Sequence, residues 1–319
     1  MKRFFTLFCA ALMTLGTINA KLVLHEDFNR EVGNLNSGTN TQMGSNTTDW
    51  WSYSGGTGAT PKYVQVAEGT LSYPGYVTTG TGNKAYIWST DADDFRKFDK
   101  EYTSGKMYFA AIINVTELRQ GTTPDYFLCL GDGGTSNMYA RLYTRSVQDD
   151  NGTFIGYRLG IAKFTETNTT AVRFTKDVYE TNKNYLVVVE YEFVEGNKND
   201  KASLYVNPTK STTKPTLECL QDSTNAGGTQ IGAIAKNDAS KIASINLRQG
   251  TNTPRQVYVD EIKVATAWDD LFEDEENPPT GIGEVTGNGL QVTGQKILRN
   301  GQLIIVKDGK MFNVLGTAL

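Results

Sequence analysis

The chain has 319 residues, a formal net charge of −4 and a single histidine. This mild acidity argues against a nucleic-acid partner and against an anionic membrane surface, because both favour a basic protein face. One histidine excludes a metal site built from several histidines. It also leaves no second histidine that could serve as an additional base beside a Ser-His-Asp triad. We predict that His25 has a structural role in the first strand.

The N-terminus has the layout of a secretory signal peptide. Lys2 and Arg3 precede a nearly unbroken apolar run over residues 4–15, and Ala20 offers a cleavage position. The run is shorter than the roughly 20 residues of a membrane-spanning helix, and no other stretch is long and apolar enough for an integral span. We predict a signal peptide over residues 1–20, whose removal takes the net charge to −6.

Cysteine is sparse in the predicted mature chain. Cys129 and Cys219 remain once Cys9 leaves with the signal peptide. Both lie in apolar, strand-like runs, which favours two buried free thiols. A single disulfide is the alternative, because a secreted protein meets an oxidising environment. Neither cysteine belongs to a cluster with zinc-binding spacing.

Residues 21–272 have the pattern of one large β domain. Apolar and polar residues alternate with period two between turns rich in Gly, Asn, Asp and Ser. This predicts an all-β, two-sheet antiparallel jelly-roll sandwich, for which about 250 residues is a normal length. Residues 107–115 and 184–194 are almost continuously apolar and are predicted to be central strands. Residues 69–73 are predicted to form an early short strand.

Three segments of this domain carry motifs that are found together in known proteins. They are residues 26–29 (EDFN), 71–76 (LSYPGY) and 257–268 (VYVDEIKVATAW). They resemble the laminin-G-like and concanavalin-A-like jelly rolls of secreted Bacteroidetes proteins. The resemblance implies that the first and last strands lie side by side, which would bring residue 28 near residue 262. Because these motifs are structural, they speak for the fold and not for an activity.

The C-terminal residues predict a small β-meander. Asn300-Gly301 and Asp308-Gly309 are strong hairpin signals between three short apolar runs. Residues 296–303 and 308–316 resemble the C-terminal sorting tails that the type IX pathway or related machinery reads in Bacteroidetes. This resemblance implies delivery to the extracellular space or the outer cell surface, with the secretion machinery as a partner.

The segment between the jelly roll and this tail has a different composition. Residues 273–285 are acidic and then rich in Pro and Gly, which is typical of an exposed linker. The predicted organisation is therefore a signal peptide (1–20), a jelly roll (21–272), a linker (273–285) and a sorting-like tail (286–319).

Three glutamates form the first catalytic candidate. Residues 190–195 (EYEFVE) resemble the catalytic strand of family-16 glycoside hydrolases, in which two carboxylates act as nucleophile and acid/base. Glu190 and Glu192 share a strand face, whereas Glu195 joins them only if a bulge inserts one residue. The middle acid is Glu192, where those enzymes prefer aspartate. The competing interpretation is a strand with a polar, solvated face.

Aromatic side chains form the second candidate, because sugars stack their apolar C–H faces on aromatic rings. Period two predicts a ladder on one face of a strand, made by Tyr139, Arg141, Tyr143 and Arg145. The opposite face would hold Met138, Ala140 and Leu142. If the ladder lies on the concave sheet, it can receive a glycan. Further aromatic candidates are Trp50, Trp51, Tyr86 and Trp88. Ordinary cross-strand pairing is the competing interpretation.

Loop carboxylates make a calcium site possible. The candidate ligands are Asp91, Asp93, Asp94 and Asp132. Calcium requires six to eight oxygen ligands, usually from several segments, and solvated turns are the competing interpretation. No other cofactor is predicted.

Together these patterns predict a secreted or surface-displayed, non-catalytic recognition module. It would bind carbohydrate or a cell-surface partner on its concave sheet. The first alternative is a family-16-like glycoside hydrolase using Glu190 and Glu195. The second is a structural exoprotein without a dedicated ligand.

Overall fold

The computed structural model describes residues 22–36, 49–54, 62–88, 90–118, 124–164, 172–219, 238–250, 256–273, 294–299, 302–307 and 310–312. The chain divides into two compact units, Met1–Asp274 and Glu275–Leu319. The predicted signal peptide and residues 274–285 of the predicted linker lie outside the described residues. In the described ranges, no helix has the length and apolar character needed to cross a membrane.

The first unit is an all-β jelly-roll sandwich of two antiparallel sheets, as predicted. Among the described residues, the larger sheet has nine strands: β1 (Leu24–Glu26), β2 (Gly33–Asn34), β4 (Gln65–Ala67), β5 (Lys84–Ile87), β7 (Lys106–Glu117), β12 (Asn184–Glu192), β13 (Lys201–Val206), β14 (Leu217–Cys219) and β16 (Gln256–Ala265). Their order is β14-β13-β12-β7-β16-β5-β4-β2, and β1 also pairs with β16.

The second sheet has seven strands in the described part of the chain: β3 (Trp50–Ser54), β6 (Asp93–Tyr102), β8 (Asp125–Gly131), β9 (Met138–Gln148), β10 (Phe154–Ala162), β11 (Arg173–Phe174) and β15 (Ile242–Leu247). Their order is β11-β10-β9-β8-β15-β6-β3. The inner faces of the two sheets enclose the main hydrophobic core. We call the opposite face of each sheet its outer face.

The two strands predicted to be central are buried on both faces. In β7, Phe109 and Ile113 belong to the main core, whereas Tyr108 and Ile112 belong to a second cluster on the outer face of the nine-stranded sheet. This explains their unbroken apolar sequence, because each fully buried large side chain stabilises the fold by about 1.5–3 kcal/mol. The prediction of doubly buried strands is confirmed for both β7 and β12.

The first and last strands of the sandwich pair as predicted. β1 runs antiparallel to β16, with Leu24 opposite Val264 and Glu26 opposite Ile262. Phe28, just beyond β1, is fully buried in the same core cluster as Ile262. The beginning and end of the sandwich therefore close one sheet together.

One predicted strand is wrong. Residues 69–73 form a loop that packs over the outer face of the nine-stranded sheet. The reason is that the backbone N–H of Leu71 donates to the Asp260 carboxylate at 2.6 Å instead of to a neighbouring strand. The Tyr76 hydroxyl then donates to the backbone carbonyl of Glu261 at 3.0 Å. Two contacts with β16 thus replace a strand pairing.

Gly82 allows a close backbone approach beneath this loop. It has φ +88°, and a Cβ atom there would lie 2.3 Å from the backbone oxygen of Asp27. Gly82→Ala is expected to lower the free energy of unfolding by about 1–3 kcal/mol more than Gly80→Ala, because the backbone must move to relieve the clash. Gly80 is the matched control, since it also has positive φ (+67°) but open space around it. If urea titrations gave equal losses of unfolding free energy for Gly82→Ala and Gly80→Ala, the steric argument would be contradicted.

The second unit contains the predicted meander. β17 (Gly294–Arg299) pairs antiparallel with β18 (Gln302–Lys307), which pairs antiparallel with β19 (Lys310–Phe312). The strands are separated by residues 300–301 and 308–309, the positions of the two predicted hairpin dipeptides. The prediction of a small C-terminal β-meander is confirmed.

Candidate ligand-binding face

Two of the three predicted catalytic glutamates, Glu190 and Glu192, lie on β12 of the nine-stranded sheet and are paired with cations. Glu190 accepts hydrogen bonds from Lys106 Nζ at 2.8 Å and from the Tyr205 hydroxyl at 3.2 Å. Glu192 forms an ion pair with Lys201 at 3.4 Å. Both carboxylates thus have counter-charges supplied by neighbouring strands.

The third glutamate is separated from the other two. β12 ends at Glu192, so Glu195 lies three residues beyond the strand, and its backbone carbonyl accepts a hydrogen bond from Asn199. The bulge that would bring Glu195 onto the face of Glu190 is not part of β12. The sequence pattern of the enzyme family therefore does not correspond to one continuous strand here.

Aromatic rings close over Glu190. Trp268 packs against Tyr205, with ring centroids 4.7 Å apart, and against Tyr108 at 5.9 Å. Burial, followed by the nearby Glu190 charge, raises the pKa of both tyrosines above its usual range. This region has the character of a packed, ion-paired surface layer.

Two of the predicted aromatic ligands are core residues. Trp50 is buried, donates from Nε1 to Glu26 at 2.7 Å and stacks on Phe28. Tyr139 packs between the sheets, with its ring centroid 4.8 Å from that of Phe164. The structure therefore places both side chains inside the sandwich, away from either outer face.

A bulge in β9 explains why the predicted Tyr/Arg ladder is only partly correct. Ala140 has φ +49°, and its backbone N–H donates to Lys163 outside the regular ladder. The extra residue turns both Tyr139 and Ala140 toward the main core. Met138 consequently lies on the outer face, in the cluster that contains Tyr143. The prediction that Met138 and Ala140 share a face, opposite Tyr139, is wrong.

The remaining ladder residues belong to a larger arrangement on the outer face of the seven-stranded sheet. Two tyrosines and two arginines from other positions extend it across the strands. We call this set the arginine–tyrosine strip: Tyr53, Tyr126, Arg141, Tyr143, Arg145, Arg158 and Arg248.

At the centre of the strip, one tyrosine ring lies against two guanidinium groups. The guanidinium carbons of Arg141 and Arg248 lie 4.2 and 4.4 Å from the ring centroid of Tyr126. Tyr143 contacts the same ring, with centroids 5.5 Å apart. Stacking of this kind fixes the planar groups relative to each other. The centre of the strip is therefore a buried, pre-arranged floor of rings and cations.

The Arg248 side chain is also held by carboxylates. It forms an ion pair with Asp125 at 2.5 Å and lies 3.9 Å from Asp93. Burial opposes the charge, but Tyr126, Asp125 and Asp93 together raise the pKa of Arg248 above its usual value. Arg248 is thus a fixed cation at the centre of the strip.

Half-buried side chains surround the two ends of the floor. Trp51 lies opposite Phe95 across β3 and β6, and it faces outward because its neighbour Trp50 faces the core. Tyr53 packs edge-on against Phe95 at 5.4 Å. At the far end, Arg145 and Arg158 are directly opposite each other on β9 and β10. From β10 to β3 the face crosses five inter-strand steps, about 24 Å.

The last two predicted aromatic ligands belong to the other sheet. Tyr86, on β5, stacks on Tyr258 with centroids 4.9 Å apart. Trp88 follows β5, is 36% exposed and donates from Nε1 to the backbone oxygen of Tyr63. The aromatic candidates therefore do not converge on one site, and only Trp51 shares a face with the strip.

The candidate calcium ligands are engaged within the protein. Each carboxylate accepts a hydrogen bond: Asp91 from the backbone of Lys62, Asp93 from the backbone of Gln249, Asp94 from the Ser52 hydroxyl and Asp132 from the backbone of Gly134. Among the residues that the structure describes, no group of three or more His, Cys, Asp or Glu side chains is arranged to hold a metal ion. The geometry of these residues adds no support for calcium.

Cys129 lies beneath the strip and has a free thiol. Burial raises its pKa to about 12, so the thiol stays protonated at neutral pH. The prediction of a buried free cysteine is confirmed for this residue. The side chain of Cys219 lies outside the described part of the structure.

No protein-family model and no curated protein matches the chain. Its fold is similar to several solved structures. An alginate lyase variant in complex with an alginate tetrasaccharide is 11% identical, covers 77% of this chain and 97% of its own, and has a TM-score of 0.43. The Trypanosoma cruzi calreticulin globular domain is 8% identical, with coverage of 82% and 94% and a TM-score of 0.44.

A glycosyl hydrolase family protein from Mycobacterium fortuitum is 14% identical, covers 76% of this chain and 99% of its own, and has a TM-score of 0.38. At such identities and scores, these similarities carry no argument about what this chain binds or catalyses.

Proposed function

We propose that the chain is a secreted or surface-displayed recognition protein that binds carbohydrate, without catalysis, on the outer face of the seven-stranded sheet. The observation that carries the proposal is the ring of Tyr126 fixed between two guanidinium groups, with half-buried Trp51 and Tyr53 nearby on the same face. Carbohydrate sites combine flat apolar rings with a few fixed polar groups. A guanidinium carries five N–H donors, and internal hydrogen bonds from Arg141 Nε to the Met138 backbone oxygen and from Arg248 Nη1 to Asp125 fix both groups on this face.

The carboxylates beside the strip support binding over hydrolysis. Asp93 accepts the backbone N–H of Gln249 at 2.7 Å, and Asp125 is paired with Arg248. Glycoside hydrolysis by two carboxylates needs one of them to deliver a proton and the other to act as nucleophile or base. Carboxylates already committed to internal donors are poorly suited to these roles.

The proposed location rests on the two ends of the sequence. The basic and apolar N-terminus is typical of a signal peptide, and residues 296–316 resemble a type IX sorting tail. We therefore include the secretion machinery as a partner of the tail and a glycan or cell-surface molecule as the partner of the sheet.

A glycan array probed with the full chain tests this function. We expect binding to at least one glycan, weakened about tenfold or more by Trp51→Ala because a stacking ring at the edge of the strip is lost. The matched control is Trp88→Ala, a tryptophan on the other sheet, which should change affinity less than twofold.

The same glycans should be assayed for release of reducing ends. No release is the expected result. Release that is abolished by Glu190→Gln would replace the binding proposal with the family-16-like hydrolase. Failure to bind any glycan would favour a structural exoprotein.

A further inference from the structure

Two arginines face each other at the β9–β10 end of the strip. Arg145 and Arg158 are direct partners in the antiparallel register, so both side chains project from the same face. Their neighbours Tyr157 and Leu159 belong to the main core, which fixes this face as the outer one. Like charges directly opposite each other destabilise a sheet. The Arg145–Arg158 pair therefore lowers the stability of the sheet, and its presence calls for a functional explanation.

The described residues supply no counter-charge to this pair. In the described part of the chain, neither Arg145 nor Arg158 forms an ion pair, whereas Arg30, Arg96 and Arg248 do. The Nε atom of Arg158 is buried without a hydrogen-bond partner there. Asp149, in the connecting turn, uses its Oδ1 to accept the backbone N–H groups of Asn151 and Thr153. The pair is thus a local excess of two positive charges in an acidic protein.

Packing holds one of the two guanidiniums in place before any ligand arrives. Arg145 lies over the ring of Phe174, 4.2 Å from its centroid. Gly160 lets this ring lie close to β10, because a Cβ atom at Gly160 would be only 2.6 Å from it. Burial and the charge of Arg158 lower the pKa of Arg145. The arrangement keeps the two cations close at a cost in free energy that a bound anion would remove.

We propose that Arg145 and Arg158 bind the acidic group, a carboxylate or a sulfate, of an anionic glycan. This inference rests on the proposed carbohydrate-binding function and names the class of its ligand. Guanidinium groups match oxyanions through paired N–H donors. Adjacent antiparallel strands bring the two side chains near enough to share one such group. Neutral glycans lack the group that would relieve the repulsion.

Calorimetric titration of the full chain with three probes tests the inference: an oligogalacturonate, a sulfated galactan oligosaccharide and a neutral β-glucan oligosaccharide. We expect an anionic probe to bind, with affinity that falls as salt increases, and the neutral probe to bind at least tenfold more weakly. Comparing the affinities for the oligogalacturonate and the sulfated galactan shows whether a carboxylate or a sulfate is preferred. Arg158→Gln should weaken anionic binding at least tenfold.

Two further variants and the melting temperature distinguish three possible effects of the substitution: loss of charge, loss of the guanidinium geometry and loss of fold stability. Arg158→Lys keeps the charge but loses the paired donors, so its affinity should fall between those of the wild type and Arg158→Gln. Lys183→Gln removes one exposed cation elsewhere and should change affinity less than twofold. The melting temperature of Arg158→Gln should not fall, because the substitution relieves repulsion.

The possible failures are distinguishable. If neutral and anionic probes bind equally and Arg158→Gln has no effect, the anion inference is overturned while carbohydrate binding stands. If none of the probes, and nothing on the array, binds, the proposed function itself fails. A lower melting temperature for Arg158→Gln without ligand would show that Arg158 has a structural counter-charge, which would also overturn the inference.

Discussion

Replacing Glu26 with alanine is expected to lower the free energy of unfolding by about 3–5 kcal/mol, because it removes one partner of a buried ionic cluster. Glu26 is 3% exposed and accepts hydrogen bonds from Trp50 Nε1 at 2.7 Å and from the backbone of Phe28 at 2.9 Å. It also pairs with Arg30 and Arg96. Alanine would leave the indole N–H and the Arg96 charge uncompensated.

The expected loss of unfolding free energy is large because the Glu26 carboxylate connects the two sheets through its hydrogen bonds and ion pairs. It belongs to β1 of the nine-stranded sheet, whereas Trp50 and Arg96 belong to β3 and β6 of the seven-stranded sheet. Urea unfolding measures the effect. Glu180→Ala is the control, since Glu180 is exposed and 3.7 Å from Lys183, a type of pair worth about 0–1 kcal/mol. A loss below about 1 kcal/mol for Glu26→Ala would show that the cluster is not required.

This role also explains why the segment 26–29 was informative about the fold. The resemblance carried by this segment implied a first strand paired with the last one, and the β1–β16 register confirms it. The central strands and the tail were also predictable. The strand pairing was implied by the resemblance of the segments to known jelly rolls, whereas continuous apolar runs predicted the central strands and turn dipeptides predicted the tail.

The site was harder to predict because bulges shift the register. A regular hairpin continued from the Gln148–Phe154 pair would place Arg158 opposite Thr144. The irregularity between Phe154 and Gly156 moves Arg158 opposite Arg145 instead. A one-residue shift of this kind changes which side chains share a face. The arginine pair could not have been found from alternation alone.

The surroundings of the glutamate candidates were hidden from the sequence for a related reason. Their counter-charges, Lys106 and Lys201, both lie directly opposite Glu192 on the neighbouring strands. These lysines are about 80 and 10 residues away in sequence, and only the sheet order brings them together. Motif spacing identifies acids that can lie together, but cross-strand partners decide whether they are available for chemistry.

A second large effect is expected from Asp94, whose burial makes stability depend on pH. Asp94, on β6, is fully buried, and its Oδ1 accepts the Ser52 hydroxyl, whereas its Oδ2 has no hydrogen-bond partner in the described structure. Burial, reinforced by the charge of Asp93 and opposed by Ser52, raises the pKa of Asp94 from 3.8 to about 7. The folded protein therefore retains a proton that the unfolded chain releases.

The sign of the effect follows from proton binding. Between pH 4 and pH 7 the folded state holds more protons at Asp94 than the unfolded state, so the free energy of unfolding falls as pH rises. The stability that the protonated carboxyl contributes is fully present below pH 4 and lost through pH 7. Asp94→Asn stays neutral, so above pH 7 it should be more stable than the wild type by up to about 4 kcal/mol.

Urea unfolding of the wild type and Asp94→Asn at pH 4 and pH 8 checks this directly. The two proteins should have similar stability at pH 4 and should differ at pH 8. Asp99→Asn is the matched control, because Asp99 is an exposed carboxylate on the same strand. Parallel pH profiles for the wild type and Asp94→Asn would mean that the carboxyl finds a stabilising partner when ionised. Because Asp94 is adjacent to Asp93, which lies 3.9 Å from Arg248, its ionisation would also alter the charge beside the strip.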